Sequence, residues 1–298
     1  MNVRRLLPAA LILPGLLLVA GLSAGLGSCR FVRPLQKTEP GALAPEMVKP
    51  EGLFEASARG DLARVRELTE MDPNLLAATD ATGWDALSYA AWNAHHLVYE
   101  YLLQQGAKGN LFTEAALGPW GSFIQRLETN PIGVDSRDPG QRATALLWAV
   151  RSGNQAGCEV LLSRGADILA RDRDGNSAIH HAVLMDRLEL IDFLLSAGAD
   201  VNETNNRGQT ALHLSTLAGE FEAVQLLLDR GASLDLPDEE GNTPLHIAAG
   251  GGNLELCEYF LYLGAKASLK NRQGRTPLDM AAEQGHERIV RLLEAQMR

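Results

Sequence analysis

The chain has 298 residues, of which 46% are hydrophobic and 21% are charged. This balance is typical of a folded globular protein and excludes a largely disordered chain. Lys and Arg number 27 against 37 Asp and Glu, so the formal net charge is -10. That acidic excess argues against a nucleic-acid binder that relies on bulk positive charge. Three cysteines are too few for a disulfide scaffold.

The N-terminal segment has the pattern of a secretory signal. Two arginines precede an uncharged, mostly apolar stretch over residues 6–28, and small residues end it, as in such signals. Its last residues, Leu-Gly-Ser-Cys at 26–29, resemble the lipobox of bacterial lipoproteins. The resemblance implies that residues 1–28 are a lipoprotein signal peptide and that Cys29 is acylated. The alternative is an uncleaved membrane helix, because about 20 apolar residues suffice to span a bilayer.

Residues 29–50 read as a linker. They contain four prolines and no apolar periodicity, which predicts an extended segment between the anchor and the fold. Arg30 rather than Asp follows the expected acylation site, which favours the outer membrane in a Gram-negative host. We therefore expect a lipid-anchored, periplasm-facing protein of the bacterial cell envelope, attached to the membrane through Cys29.

An internal repeat of 33 residues dominates the rest of the chain. Four glycines at this spacing open closely related phrases: Gly-Asn-Ser-Ala-Ile-His at 175, Gly-Gln-Thr-Ala-Leu-His at 208, Gly-Asn-Thr-Pro-Leu-His at 241 and Gly-Arg-Thr-Pro-Leu-Asp at 274. Motif and period together resemble the ankyrin repeat. The resemblance implies an all-α repeat solenoid, in which helix-turn-helix units are joined by β-hairpin loops.

The repeat domain is predicted to cover residues 51–298 in about seven units, degenerate over 51–137 and regular over 138–298. The third unit is short. Asp85 and Thr144 hold the same register but lie 59 residues apart, which is 33 plus 26. Between them, residues 111–135 are rich in turn-forming residues. We expect this unit to have lost a hairpin or a helix end.

Some side chains in the repeats look chemically active but have structural interpretations. His180, His213 and His246 recur at the repeat spacing, yet stacked helices lie about 8–10 Å apart and Zn–N bonds need about 2 Å. In the ankyrin family this histidine hydrogen-bonds around the turn. Cys158 and Cys257 fall in a buried register. No catalytic motif is present, so we expect no metal, no cofactor and no enzymatic activity.

The remaining candidate is a recognition surface. In ankyrin proteins the partner usually contacts the hairpin tips and two exposed positions late in the first helix of each unit. Carried onto this chain, these positions predict a partner-binding concave face that includes Trp84, Trp92, Arg151, Arg171, Arg173, Leu184, Met185, Arg207 and Leu217. The apolar centre of this face would be Leu184, Met185 and Leu217, and the arginines would border it. Met and Arg are both enriched in protein–protein interfaces.

These observations favour a membrane-anchored mediator of protein–protein interaction in the cell envelope. The partner is another protein of unknown identity, and no nucleic acid is expected. Three alternatives stay open: a passive structural spacer, a neutraliser of a toxin or helper of a periplasmic enzyme, and an uncharacterised hydrolase. The second of these rests on family analogy alone.

Overall fold

The computed structural model describes residues 49–129 and 131–296. The predicted signal peptide at 1–28, the acylation site Cys29 and nearly all of the 29–50 linker lie outside the described residues. The first helix begins at Pro50, the last residue of the predicted linker. Within the described ranges, no helix combines the length and the apolar character needed to cross a bilayer.

The described residues form sixteen α-helices, which pack as eight consecutive antiparallel pairs. We call the first member of each pair the inner helix and the second the outer helix. In chain order the pairs are α1 Pro50–Arg59 and α2 Leu62–Met71, α3 Ala86–Trp92 and α4 His96–Gln104, α5 Leu111–Leu117 and α6 Trp120–Thr129, α7 Ala145–Ser152 and α8 Gln155–Ser163, α9 Ala178–Leu184 and α10 Leu188–Ser196, α11 Ala211–Ala218 and α12 Phe221–Asp229, α13 Pro244–Gly250 and α14 Leu254–Tyr262, and α15 Pro277–Glu283 and α16 Glu287–Gln296. Short 3-10 turns at Pro73–Ala77 and Pro131–Asp135 follow α2 and α6.

The structure confirms the all-α solenoid and corrects the number of its units. About seven units were predicted, whereas the helices form eight pairs. Three pairs lie in the degenerate region, 51–137, although its sequence has drifted from the repeat pattern, and five lie in the regular region, 138–298. A helix pair forms when its apolar residues have the helical spacing and its ends are capped, so the pairs are present even where the repeat motif is lost.

The helix ends are built as the repeat phrase indicates. Thr210 caps α11 by accepting a hydrogen bond from the backbone amide of His213, and proline occupies the first position of α13 and α15, where its missing amide costs nothing. After α12 the chain turns at Gly231, whose φ of 89° lies in the left-handed region that glycine adopts without strain.

A continuous core joins the pairs. Cys158, Ile191, Val224 and Cys257 stand at the same register of four successive outer helices and are fully buried. Val290, at the same register of α16, is only half-buried, because no further pair packs on α16 within the described residues. Each inner helix packs against the inner helix of the next pair. Stability is therefore shared between neighbours along the stack, as in other repeat proteins.

The tips that connect consecutive pairs are tight turns, which corrects the predicted β-hairpin loops. Among the described residues the only bridge of the β type is an isolated one between Arg137 and Thr144. A representative tip is closed by two backbone hydrogen bonds, from the amide of Asp172 to the carbonyl of Asn176 at 3.0 Å and from the amide of Gly175 to the carbonyl of Asp172 at 3.1 Å. With so few residues in each arm, the turn leaves no room for a ladder. Successive tips are instead linked to each other, for example by Asn206 N to Asp174 O at 3.0 Å.

The shortened unit keeps both of its helices and lacks the tip in front of them. Residues 105–110 connect α4 to α5, whereas the regular connection between α10 and α11 takes residues 197–210. The tip before α3 and the tip before α7 therefore come together without a tip between them. This contact, which we call the joint, decides which part of the inner helices stays accessible.

Candidate interaction surface

The inner face is the side of the stack formed by the ends of the inner helices and by the tips. Leu184 at the end of α9 and Leu217 near the end of α11 are 42% and 68% exposed. Met185, directly after α9, is half-buried. Since α9 and α11 pack against each other, the structure brings the predicted apolar centre together on adjacent helices about 10 Å apart.

We number each tip by the helix pair that it precedes. The arginines of the fifth and sixth tips have two different roles. Arg173 and Arg207 are exposed. Arg171 is half-buried: its Nε donates to the carbonyl of Gly175 at 2.9 Å and its Nη2 to that of Thr204 at 2.6 Å. Its guanidinium therefore braces one tip against the next. Arg173 and Arg207 remain predicted contact residues. Arg171 also remains one, but its side chain in addition links the fifth tip to the sixth.

Three of the predicted contacts are wrong as surface residues. Trp84, Trp92 and Arg151 are only 2%, 4% and 4% exposed. These three positions were transferred from the ankyrin family on the assumption that every unit has a tip. Because the third unit lacks one, the tips on either side close over these side chains and bury them.

The joint is a cluster of aromatic rings. The ring centroids of Trp84 and Trp148 are 5.2 Å apart, those of Trp92 and Trp148 4.9 Å, and those of Trp84 and Trp92 5.6 Å. Trp84 and Trp92 each meet a third ring edge-on, Tyr89 and His181 respectively. Such tilted and edge-on arrangements are the favoured geometries of aromatic pairs and add to the apolar burial.

Asp138 ties the joint together. Its carboxylate is 1% exposed and accepts hydrogen bonds from the indole N–H of Trp84 at 2.7 Å and of Trp148 at 3.3 Å. It also accepts from the backbone amides of Gly140, Gln141 and Ala143, at 2.9, 2.9 and 2.8 Å. A buried carboxylate needs this many donors to offset its desolvation. One side chain thus links the tip before α3 to the tip and the inner helix of the fourth pair.

Arg151 packs against the same aromatic cluster. Its Nε donates to the carbonyl of Trp92 at 2.7 Å, and its guanidinium carbon stands 4.6 Å from the ring centroid of Trp92, a cation–π distance. Burial lowers the pKa of Arg151 to about 10, partly opposed by the charge of Asp172. The side chain joins the second pair to the fourth instead of standing free for a partner.

The histidine row has the structural role that the family resemblance implies. His180 Nδ1 lies 2.9 Å from the Ser177 hydroxyl at the start of its own helix, and its Nε2 lies 2.9 Å from the carbonyl of Gln209 in the next tip. His213 and His246 repeat this pattern one unit further on. Burial lowers the pKa of His180 to about 4, so the ring is neutral at pH 7 and joins consecutive units.

The described residues contain no group of three or more His, Cys, Asp or Glu side chains arranged to hold a metal ion. Cys158 and Cys257 are fully buried. Burial raises the pKa of both thiols to about 12, so neither forms a thiolate at pH 7.

Sequence reasoning missed two arginines of the fourth tip. Arg137 and Arg142 line a cleft of about 470 Å³ together with Arg171, Arg173 and Asp172. Arg142 has a φ of 57°, and it stands two residues before the helix cap Thr144. In regular units that place belongs to glycine, for example Gly175 with a φ of 79°. The missing glycine at this register was readable in the sequence and could have drawn attention to Arg142.

The fold and surface together define a solenoid of stacked helix pairs that offers an inner face for recognition. A family model described as ankyrin repeats in three copies matches residues 121–205, 146–238, 187–271 and 218–297. These ranges cover more than half of the chain, and the chain belongs to the ankyrin repeat family. Members of this family are generally non-catalytic modules of protein–protein interaction.

Curated relatives match over part of the chain. Ankyrin repeat domain-containing protein 40 of Mus musculus is 31% identical over 97 residues, which are 33% of this chain and 27% of that protein. Ankyrin repeat domain-containing protein 39 of Homo sapiens is 40% identical over 65 residues, 21% of this chain and 34% of that protein. The NAD-capped RNA hydrolase NUDT12 of Homo sapiens is 33% identical over 60 residues, 20% of this chain and 13% of the hydrolase. The chain thus spans about a third or less of these relatives, and the last likeness is a partial ankyrin match.

Proposed function

We propose that this protein is a lipid-anchored ankyrin-repeat protein that binds another protein in the bacterial cell envelope. The apolar N-terminal run and the Leu-Gly-Ser-Cys sequence at 26–29 support acylation of Cys29. The proline-rich stretch over 29–50 supports a tether between the lipid and the repeats. The repeats then face the periplasm, from the outer membrane in a Gram-negative host.

The observation that carries the binding role is the exposed apolar centre of the inner face. Leu184 and Leu217 are 42% and 68% exposed on neighbouring inner helices, while equivalent positions near the joint are buried. Arg173 and Arg207 are exposed at the adjacent tips. Interface cores are enriched in Met and Arg and concentrate their binding energy in a few such anchors. A matching partner presents an apolar side chain ringed by carboxylates.

Affinity capture from envelope fractions tests this role. The full chain should retain a stoichiometric partner, and the double change Met185→Glu with Leu217→Glu should weaken the complex by at least about 30-fold, the scale of a hot spot. Gln225→Glu, exposed on outer helix α12, is the matched control and should change binding little. Absence of any stoichiometric partner would favour the passive spacer. Loss of binding in Gln225→Glu alone would assign recognition to the outer helices instead.

The anchor needs a separate test. Mass spectrometry of protein extracted from membranes should find Cys29 acylated at a new N-terminus, and Cys29→Ala should abolish both processing and acylation. An unmodified Cys29 in membrane-extracted protein, with residues 1–28 still attached, would overturn the lipoprotein assignment and support the uncleaved membrane helix.

A further inference from the structure

The cleft between the fourth and fifth tips is a basic site within an acidic protein. Four arginines line it, Arg137, Arg142, Arg171 and Arg173, against one carboxylate, Asp172. The whole chain carries a net charge of -10, so this concentration of guanidinium groups runs against the overall composition. Its volume of about 470 Å³ lies within the range of about 300–1,000 Å³ found for ligand pockets.

The one carboxylate of the cleft is already engaged. Asp172 accepts hydrogen bonds from the amides of Asp174 and Asn176, at 2.9 and 2.8 Å, and from His181 Nε2 at 2.9 Å. Burial of Asp172 opposes ionisation, but these hydrogen bonds lower the pKa of its carboxyl below the usual value. Among the described residues, none of the four arginines forms an ion pair with any carboxylate. The positive charge of the cleft is therefore left for an external anion.

Two of the arginines are held in place by backbone carbonyls. Arg137 Nη1 donates to the carbonyl of Arg142 at 2.8 Å and also to that of Arg171, while Arg171 donates to Gly175 and Thr204. These bonds fix the guanidinium groups without neutralising them. Arg137 and Arg171 therefore supply fixed positive charge, whereas the side chains of Arg142 and Arg173 form no hydrogen bond among the described residues and stay available to a ligand.

Arg142 gives a second, independent indication. It holds a left-handed φ of 57° at the place where regular units have glycine, a conformation that costs a residue with a side chain free energy. Its side chain is exposed, and in the described structure only its backbone takes part in hydrogen bonds. A strained backbone that delivers a guanidinium to the mouth of a basic cleft points to a role for that charge in binding.

The charge pattern along the tips limits what the ligand is. Arg207 continues the row of arginines at the sixth tip. Asp174 adds one exposed carboxylate beside Arg173 at the fifth tip, and Glu239 and Glu240 reverse the sign of the charge at the seventh. The tips are joined in order by backbone hydrogen bonds, including Arg173 N to Gln141 O at 2.7 Å and Glu239 N to Arg207 O at 2.9 Å. The positive row is thus elongated and ends sharply, which fits an extended chain of carboxylates better than a single compact oxyanion.

We infer that this cleft, with the sixth tip, binds an acidic peptide segment of the protein partner, whose Asp or Glu carboxylates pair with Arg142 and Arg173. Guanidinium groups match carboxylates in bidentate geometry, which gives strong and directional hydrogen bonds. The inference rests on the proposed protein-binding function and adds the chemistry of the segment. The neighbouring apolar centre would hold the rest of the partner.

Binding of a fluorescein-labelled hexaglutamate peptide to the purified full chain tests the inference by fluorescence anisotropy. Binding should be saturable and should weaken as NaCl rises from about 50 to about 300 mM, because salt screens exposed charges. Arg142→Gly with Arg173→Gln should raise Kd about tenfold or more, since each variant removes a charge-assisted contact. The Gly change restores the residue that regular tips carry at this position, so the melting temperature should not fall.

Arg272→Gln is the matched control. Arg272 stands four residues before the helix cap in the eighth tip, as Arg173 does in the fifth, and it is also exposed. This variant should keep the Kd of the wild type. An equal loss in Arg272→Gln would mean diffuse attraction and would overturn the assignment of the cleft.

Other outcomes separate this inference from the proposed function. Inorganic phosphate that binds as tightly as the peptide would overturn the acidic segment in favour of a small-anion site. Phosphatidylglycerol vesicles that bind while the peptide does not would overturn it in favour of a membrane contact. If hexaglutamate fails to bind but a captured partner is still lost on Leu217→Glu, the inference falls and the proposed function stands.

Discussion

Replacing Asp138 by Asn should loosen the joint, where the tip before α3 meets the tip before α7. The two side chains have the same shape, but the amide supplies one acceptor oxygen in place of two. In the native joint Oδ1 accepts from Trp84 Nε1, Gly140 N and Gln141 N, and Oδ2 from Ala143 N and Trp148 Nε1. Whichever way the amide turns, at least two buried donors lose their acceptor and face an N–H group.

The magnitude follows from the number of donors left unsatisfied. A buried donor without a partner costs about 1–3 kcal/mol, so two give an expected loss of about 2–6 kcal/mol in the free energy of unfolding. With a urea m-value of about 2 kcal/mol/M, a loss of about 3 kcal/mol lowers the midpoint by about 1.5 M. The loss should be local, because stability in a repeat array is the sum of units and the interfaces between neighbours.

Two probes of urea unfolding distinguish a local from a global effect. Three of the four tryptophans of the chain, Trp84, Trp92 and Trp148, lie in the joint, so tryptophan fluorescence reports mainly on it. Circular dichroism at 222 nm reports on all helices. In Asp138→Asn the fluorescence midpoint should fall well below the dichroism midpoint, which reveals a two-stage transition.

Asp174→Asn serves as the control, because Asp174 is exposed at the next tip. This substitution should change the free energy of unfolding by no more than about 0.5 kcal/mol with either probe. A fluorescence midpoint in Asp138→Asn within about 0.3 M of the wild type would refute the claim that this carboxylate holds the joint. Coincident shifts of both probes would refute its locality.

Three further predictions concern the core, a buried acid and the thiols. Leu212→Ala, at a fully buried site of α11, should cost about 2–5 kcal/mol in urea unfolding, whereas Leu217→Ala in the same helix, 68% exposed, should stay within about 0.5 kcal/mol; equal losses would contradict the burial pattern. Burial and the nearby charge of Asp186 raise the pKa of Glu220 to about 7 from 4.5, so folding favours its protonated form and the stability contributed by this group is complete below pH 4.5 and lost as the pH rises towards 7. Glu220→Gln should therefore match the melting temperature of the wild type at pH 4.5 and exceed it at pH 8, and a gain of the same size at both values would disprove the titration. Cys158 and Cys257, fully buried with thiol pKa values near 12, should take up a maleimide label only after denaturation, as peptide mapping would show; labelling of either in the native protein would contradict its inert role.

The features that the sequence predicted correctly are those fixed by one unit and its immediate neighbour. The cap at Thr210, the buried register of Cys158 and the contact of His180 with Ser177 at its own turn each depend on the local repeat phrase or on the stacking of the next unit. The 33-residue period indicates both the local repeat phrase and the stacking of the next unit. These features could therefore be read without knowing the shape of the whole stack.

The predictions that failed depend on what lies two units away. The 59-residue spacing between Asp85 and Thr144 located a deletion, but the spacing alone left open whether a helix or a tip was missing. The structure shows that the tip is missing and that Trp84 and Trp92 are buried beside the deletion. The concentration of three tryptophans around the deletion was a readable sign of burial, because large aromatic side chains dominate the cores they enter.

The missing tip also determines where recognition can take place. Over the second to fourth pairs, Trp84, Trp92 and Arg151 fill the inner face and leave no apolar side chain of the predicted set exposed there. From α9 onward the regular tips return, and Leu184 and Leu217 stand in the open between them. The accessible part of the inner face therefore lies in the second half of the stack, from the fifth pair onward. The basic cleft between the fourth and fifth tips lies at the boundary between the joint and this accessible part of the inner face, so the proposed acidic segment would lie next to the exposed leucines.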